Sequence, residues 1–300
     1  MTVQIRKFVE DDLPQLVILL NATYEDSYEF APFTEERLRS WIKEAKMKIL
    51  MAEEDRGVLG SVAYNDGHWG EEIAWLNVND ALDRKLIEKV LVEQAERFVV
   101  RRAVFAAVDA GSPKIDEWTE KGYRQEGGLY HMTARLHAIK PAPEVPERII
   151  IRNLKADEEK ELIQAVNAGF GSERLKTGCI EKWKAENPSF DENWVQIAEA
   201  EGKIVSAVVA KPDTYYNESF KGRRGYLGPA ATLQSYRGRN LASALTRRAM
   251  NFLFGKGMDC VALYTSEQNV ASVTLLTRLG FEIGHNWKFM RKILLQKDSG

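Results

Sequence analysis

Cysteine and histidine are scarce in this chain, and their scarcity excludes two kinds of protein. Cys179 and Cys260 are the only cysteines in 300 residues, too few and too far apart for a disulfide framework or a thiolate metal site. His68, His131, His137 and His285 show no ligand spacing, so no metal is expected. No apolar run reaches the roughly 20 residues a membrane-spanning helix needs. The opening Met-Thr-Val-Gln-Ile-Arg-Lys has no apolar signal region and starts directly into a strand pattern. These absences predict a cytoplasmic protein with no membrane partner. Basic residues are not interleaved with aromatics, so no nucleic-acid surface is expected either.

What is present is an ordinary globular composition, 44% hydrophobic and 29% charged, in a chain long enough for two cores. The net charge of −2 hides an asymmetry. Through Pro146 there are 19 basic and 26 acidic residues, a net of −7, and the remainder has 23 and 18, a net of +5. Residues 139–147, Ile-Lys-Pro-Ala-Pro-Glu-Val-Pro-Glu, hold three of the nine prolines and read as a semi-rigid spacer. Beyond it the pattern restarts. Ile5-Arg6 is echoed by Ile151-Arg152, Asn21-Ala22 by Asn167-Ala168, and Ala52-Glu53 by Ala198-Glu199, all 146 residues apart. Gly122-Tyr123 pairs with Gly280-Phe281 at 158. A constant offset that later grows implies a repeated domain with insertions in the second copy. The expected blocks are 1–138, a linker over 139–147, and 148–300.

Periodicity of 2 or 3.6 gives the second copy strands at about 148–153, 194–200, 203–211, 224–233, 259–265 and 283–292, with helices at about 157–169, 178–186, 241–255 and 269–279. Pro229 inside a strand cannot donate to a ladder and calls for a bulge. The strand ending near Leu233 runs through a loop rich in Arg and Gly into a long helix. The first turn of that helix offers unpaired N–H groups and the positive end of its dipole. Gly238 lets the backbone approach an anion, and Arg237 and Arg239 add charge. This is the make-up of a pyrophosphate site.

Arg237-Gly238-Arg239-Asn240-Leu241-Ala242 resembles the Arg/Gln-x-x-Gly-x-Gly/Ala signature of the GNAT superfamily of N-acetyltransferases. Asn240 stands where the family usually has Gly; Asn also tolerates positive φ. Asn269-Val-Ala-Ser-Val-Thr-Leu-Leu-Thr-Arg-Leu-Gly280-Phe281 is similar to the family's late motif, with Asn269, Ser272, Leu275, Leu279, Gly280 and Phe281 in register. Asn269 suits a helix N-cap and Gly280 a left-handed C-cap. The resemblance implies an α/β (α+β) fold of two tandem GNAT-like domains, each a mixed, mostly antiparallel twisted sheet flanked by helices, in a layout resembling that of mycothiol synthases. It implies acetyl-CoA as cofactor, held by Ala231, Thr232 and Leu233 on the fourth strand, by Arg237 to Ala242, and by Asn269 and Ser272. It also implies a splay of the fourth and fifth strands into which the pantetheine arm enters. The first copy has Asn79-Asp80-Ala81-Leu82-Asp83 where the loop belongs, and its late motif shrinks to Trp118-Thr-Glu-Lys-Gly122-Tyr123. It reads as degenerate, with Asp80 and Asp83 opposing a pyrophosphate.

Acetyl transfer to an amine needs a bound thioester, a polarised carbonyl, a deprotonated amine and a leaving thiolate. Many family members place a Tyr general acid where this chain has Leu276. Tyr264 or Ser272 is the substitute here, unless water suffices. The fourth strand holds no carboxylate, so Glu218 and Asp213 are the candidate bases, with a water relay as the other route. Tyr215, Tyr216 and Phe220 are candidates for an acceptor pocket. Two functions remain: an acetyl-CoA-dependent N-acetyltransferase acting through the second copy on a small-molecule amine or a protein amino group, with oligomers possible, and a non-catalytic acyl-CoA-binding or partner-binding protein on the same scaffold.

Overall fold

The computed structural model describes residues 3–55, 57–67, 69–79 and 83–294; His68 and Asp80 lie outside the described residues. Two compact units result: Met1–Leu129 with Asn286–Gly300, and Tyr130–His285.

The first run of elements is β1 (Gln4–Lys7), α1 (Leu13–Tyr24), α2 (Glu35–Glu44), β2 (Lys48–Glu54), β3 (Gly57–Gly67), β4 (Gly70–Val78), α3 (Arg84–Ala95), β5 (Ala103–Asp109), α4 (Lys114–Glu120) and β6 (Arg124–Arg135). The second is β7 (Ile150–Asn153), α5 (Glu159–Phe170), α6 (Cys179–Glu186), β8 (Val195–Ala200), β9 (Lys203–Pro212), α7 (Thr214–Phe220), β10 (Arg224–Thr232), α8 (Leu241–Gly255), β11 (Cys260–Ser266), α9 (Val270–Leu279) and β12 (Glu282–Ile293). The sheet of the first unit has the order β1-β2-β3-β4-β5-β12, and that of the second β6-β11-β10-β9-β8-β7. The β1–β4 and β7–β10 ladders are antiparallel, whereas β4–β5 and β10–β11 are parallel. No helix of the described residues is long and apolar enough to cross a membrane.

The repeat reappears as matched side-chain networks. Arg6 binds Glu53 through Nε at 2.6 Å and Asp12 through Nη1 at 2.6 Å. Arg152 binds Glu199 through Nε at 2.8 Å and Glu158 through Nη1 at 2.7 Å. Each fork ties an edge strand to its neighbour and to the start of the following helix, so the same half-buried guanidinium does one job twice. Asn21 and Asn167 repeat a second device, each clamping the loop after its helix by an amide that donates to Phe33 O or Leu175 O and accepts from the same residue's N–H.

In the second unit α8 buries Leu241, Ala244, Leu245, Ala249, Met250 and Leu253, the 3–4 spacing of an amphipathic helix. Gly225 of β10 lets it close in, since a Cβ there would lie 2.6 Å from Leu253 Cδ1. Two expectations change. The last strand forms where expected, but Trp287–Ile293 pairs antiparallel with Ala103–Asp109 and so completes the first unit. The block 148–300 therefore does not coincide with the second unit, which draws its edge strand from β6, residues Tyr130 onward. A period of two marks a strand without naming its partner. Secondly, the stretch between the strands at 203–211 and 224–233, where periodicity marks no helix, contains α7, capped by Asp213, whose Oδ1 accepts the Tyr216 N–H at 3.3 Å.

Candidate active site

The site begins where β10 and β11 part. They pair only at Arg224↔Cys260, Gly225↔Val261 and Tyr226↔Ala262, although β10 runs on to Thr232 and β11 to Ser266. On its other edge β10 stays bound to β9. The register shifts between Leu227 and Ala230 and resumes at Ala230↔Val208, Ala231↔Ala207 and Thr232↔Ser206. The bulge expected at Pro229 is that shift, and the Gly228–Pro229 bond within it is cis. Leu233 donates its N–H to Val205 O at 2.9 Å. Antiparallel bonding alternates, so Ala231 also faces β9 and the Thr232 N–H faces the parted side. Of the three residues expected to meet the cofactor, Leu233 has its N–H committed to β9 and Thr232 has the free-facing one. Ser206 fixes this segment: its Oγ donates to Ala231 O at 2.9 Å and lies 2.7 Å from Thr232 Oγ1.

The loop that follows has the expected conformation. Gly238 has φ +76 and Asn240 φ +60, so Asn replaces the family's Gly in the left-handed region. Left-handed residues interspersed in a turn aim successive N–H groups at one point, which suits an anion. The first helical bond of α8 is Ala244 N–H to Asn240 O at 2.9 Å. This leaves the N–H groups of Leu241, Ala242 and Ser243 at the open first turn. Ala242 sits in that turn, as its place in the motif requires. Arg237 does not simply project into solvent. Its Nη2 donates to Gly169 O at 2.9 Å and its Nε to Thr232 O at 3.3 Å, strapping α5 to the end of β10. Arg239 folds back on Ser235 O at 3.2 Å, with its guanidinium 5.0 Å from the Tyr236 ring centroid. Gly169 was not legible as a site residue. A Cβ there would lie 2.9 Å from Ala231 Cβ and 3.4 Å from Thr232 N, so α5 presses directly on the segment that carries the Thr232 N–H. This donor set fits a pyrophosphate-bearing thioester.

Aromatic residues collect at the point of parting. Tyr226 on β10 lies 6.1 Å from Tyr264 on β11, centroid to centroid, and Tyr264 lies 4.8 Å from the ring of His131. The Tyr226 hydroxyl accepts the Tyr264 N–H, while burial and then Tyr264 push its pKa up. Lys211, opposite Tyr226 in the β9–β10 register, holds Nζ 5.6 Å from that ring, and burial pulls its pKa down. Tyr264 is 41% exposed, so its phenol is accessible beside the opening. Ser272 is tied to the N-terminus of α9: its N–H donates to Asn269 Oδ1 at 3.2 Å and its Oγ accepts from Thr265 Oγ1 at 3.3 Å. Asn269 is thus the cap, and Gly280 closes the helix at φ +96. Leu276, the position at which the resemblance implies a Tyr general acid, is buried in the core. Glu218 is on the exposed side of α7. Asp213 binds the buried Arg224, Oδ2 to Nε at 2.8 Å, and so is committed to structure. Tyr216 covers the Arg224 guanidinium at 3.5 Å and packs on Phe220.

Comparison with known proteins agrees with this geometry. Residues 158–281 match the Acetyltransferase (GNAT) family. A mycothiol acetyltransferase of Thermobispora bispora is 27% identical over 199 residues, which is 60% of this chain and 66% of that protein, just under two thirds of its length. A GCN5-related N-acetyltransferase from Sphaerobacter thermophilus has the same fold with a TM-score of 0.72 and 21% identity, covering 99% of this chain and 97% of its own. A tandem GNAT protein from the clavulanic acid biosynthesis pathway superposes with a TM-score of 0.66 at 15% identity, covering 99% and 100%. The parted parallel strands, the left-handed loop and the capped late helix all fall within the residues that match the GNAT acetyltransferase family.

Proposed function

We propose that the second unit, Tyr130–His285, binds acetyl-CoA and transfers its acetyl group to an amine. The observation that carries this reading is the continuity of one surface: β10 and β11 separate after Tyr226↔Ala262, and β10 then leads through the left-handed Gly238 and Asn240 to the open first turn of α8. Acetyl-CoA supplies an activated acyl group on a good leaving thiolate. The N–H groups of Leu241, Ala242 and Ser243 hold its pyrophosphate, and Arg239 adds positive charge beside them. Arg237 acts mainly as a strap that keeps Thr232 and α5 together. The Thr232 N–H stabilises negative charge developing on the acyl oxygen. Tyr264 is the proton donor to the departing sulfur, since its exposed phenol flanks the opening. The amine loses its proton to water, because Asp213 is spent on Arg224 and Glu218 faces outward. The acceptor is a small-molecule amine or a protein amino group.

The second reading, a protein that binds acyl-CoA without turning it over, is favoured by the buried Leu276. Release of free CoA thiol from acetyl-CoA over a panel of amines and N-terminal peptides separates the two. Turnover with any acceptor supports the enzyme, and its absence across the panel favours the binder. Ala242→Glu tests the cofactor site for both. The acidic side chain suits a helix N-terminus, so the fold should hold. It should nevertheless cost about two charge-assisted bonds to phosphate, or roughly a hundredfold in CoA affinity. A variant that melts like the parent and titrates with CoA equally well would remove the site from this loop.

A further inference from the structure

The first unit contains a cavity of its own, about 630 Å³, within the size range of small-molecule sites. It fills the gap where β4 leaves β5, since those strands pair only at Glu72↔Phe105. Trp75 sits in this stretch of β4 at φ +53, where the β3–β4 register shifts between Ser61 and Ala63. A bulky residue held at positive φ is strained backbone, and such strain often marks functional sites. It turns the Trp75 N–H to the hydroxyl of Tyr24 and places both residues on the cavity wall. Tyr28 and Trp287 supply more of the wall, edge to face at 6.0 Å.

Two carboxylates, Glu72 and Asp109, line the same cavity. Burial, then Glu72 and then Asp109 raise the pKa of Tyr24, which places its phenol near both acids. Among the described residues the Glu72 side chain has a single hydrogen-bond partner, the neutral Asn65 amide at 3.3 Å, and no ion pair. Burial pushes its pKa up. Of the cations that line the cavity, Arg84 and Lys121 grip Glu88 at 2.9 and 3.0 Å. Lys114 lies 5.5 Å from the Tyr24 ring centroid, so that ring already accepts one ammonium group. A half-buried carboxylate that faces a roomy cavity with no ion pair of its own is costly by itself. Aromatic walls around it are the surroundings that favour a desolvated organic cation.

We propose that this cavity binds a small organic ammonium ion, its charge held by Glu72 and the rings of Tyr24 and Trp75 and its apolar body against Tyr28 and Trp287. The site lies in the first unit and is separate from the acetyl-transfer site proposed above. A pyrophosphate would meet Glu72 and Asp109 as like charges, so the same gap disfavours the anionic cofactor.

Calorimetry on the full chain tests it, with 2-phenylethylamine as probe and 2-phenylethanol and 3-phenylpropionate as neutral and anionic counterparts. The amine should bind saturably and the counterparts should not. Glu72→Gln and Trp287→Leu should each weaken the amine by at least about tenfold and leave CoA affinity unchanged. Equal binding of amine and alcohol, no saturable binding at millimolar amine, or affinity unchanged in a folded Glu72→Gln chain would each overturn the proposal. Should Glu72→Gln fail to fold, the comparison of charged and neutral probes on the parent chain decides alone.

Discussion

Lys211 carries a cost that the fold retains. Its ammonium lies against the Tyr226 ring, and burial lowers its pKa. The unfolded chain therefore holds that proton more tightly than the folded one. Stability rises with pH between the depressed folded value and the ordinary lysine value, and at neutral pH the protonated form is a burden. Lys211→Met is expected to raise the melting temperature at pH 7, with the gain shrinking as pH climbs toward the ordinary lysine range. Melts across that range check it, and a gain that is the same at every pH would sink the idea. If the stabilised variant also transfers acetyl more slowly, Lys211 is kept for the site rather than for the fold. At this scale the sequence was most legible where a residue type is nearly dictated by backbone geometry. Asn240 and Gly280 could be placed in the left-handed region because few other residues tolerate it. Lys211 and Gly169 could not be found, because their roles depend on what another element brings against them.

Among elements, the α5–β10 seam sets the position of the Thr232 N–H. Gly169 permits the approach, and its carbonyl also receives Arg237 at 2.9 Å. Gly169→Val forces a methyl-sized conflict against Ala231, and overpacking of this kind costs about 1–3 kcal/mol. The expected outcome is a lower melting temperature together with a turnover loss of at least about tenfold, while CoA affinity changes far less. A variant that melts lower but turns over normally per folded molecule would leave Gly169 a packing residue only. The helices that the sequence announces, α8 and α9, have a strong apolar face, and α9 also has its Asn269 cap. By contrast, α7 is short and rich in Tyr and Phe, and its one signal was the capping Asp213. The strand positions were readable from alternation, and the bulge from Pro229.

At the scale of the whole chain, the last strand of each copy of the repeat completes the sheet of the other unit. β12 closes the sheet of the first unit along β5, and residues from Tyr130 to Arg135 of β6 close that of the second. The repeat period located two copies but could not reveal this exchange, since an edge strand satisfies the same pattern on either sheet. Dividing the chain between 138 and 148 is therefore expected to yield two pieces that each lack a strand. Residues 1–138 and 139–300 should be poorly folded when produced separately and should copurify when produced together. A cooperative melt from 1–138 alone at the parent temperature would show that β12 is dispensable. The exchange also has a consequence in time. Asp109 finds its partner Trp287 only after ~180 further residues have been added, about ten to forty seconds at ordinary rates of synthesis. Through that interval the open edge of β5 has no neighbour of its own. The first unit is begun early by the ribosome and finished last, and a nascent chain has to be shielded from other unpaired edges until the final strand arrives.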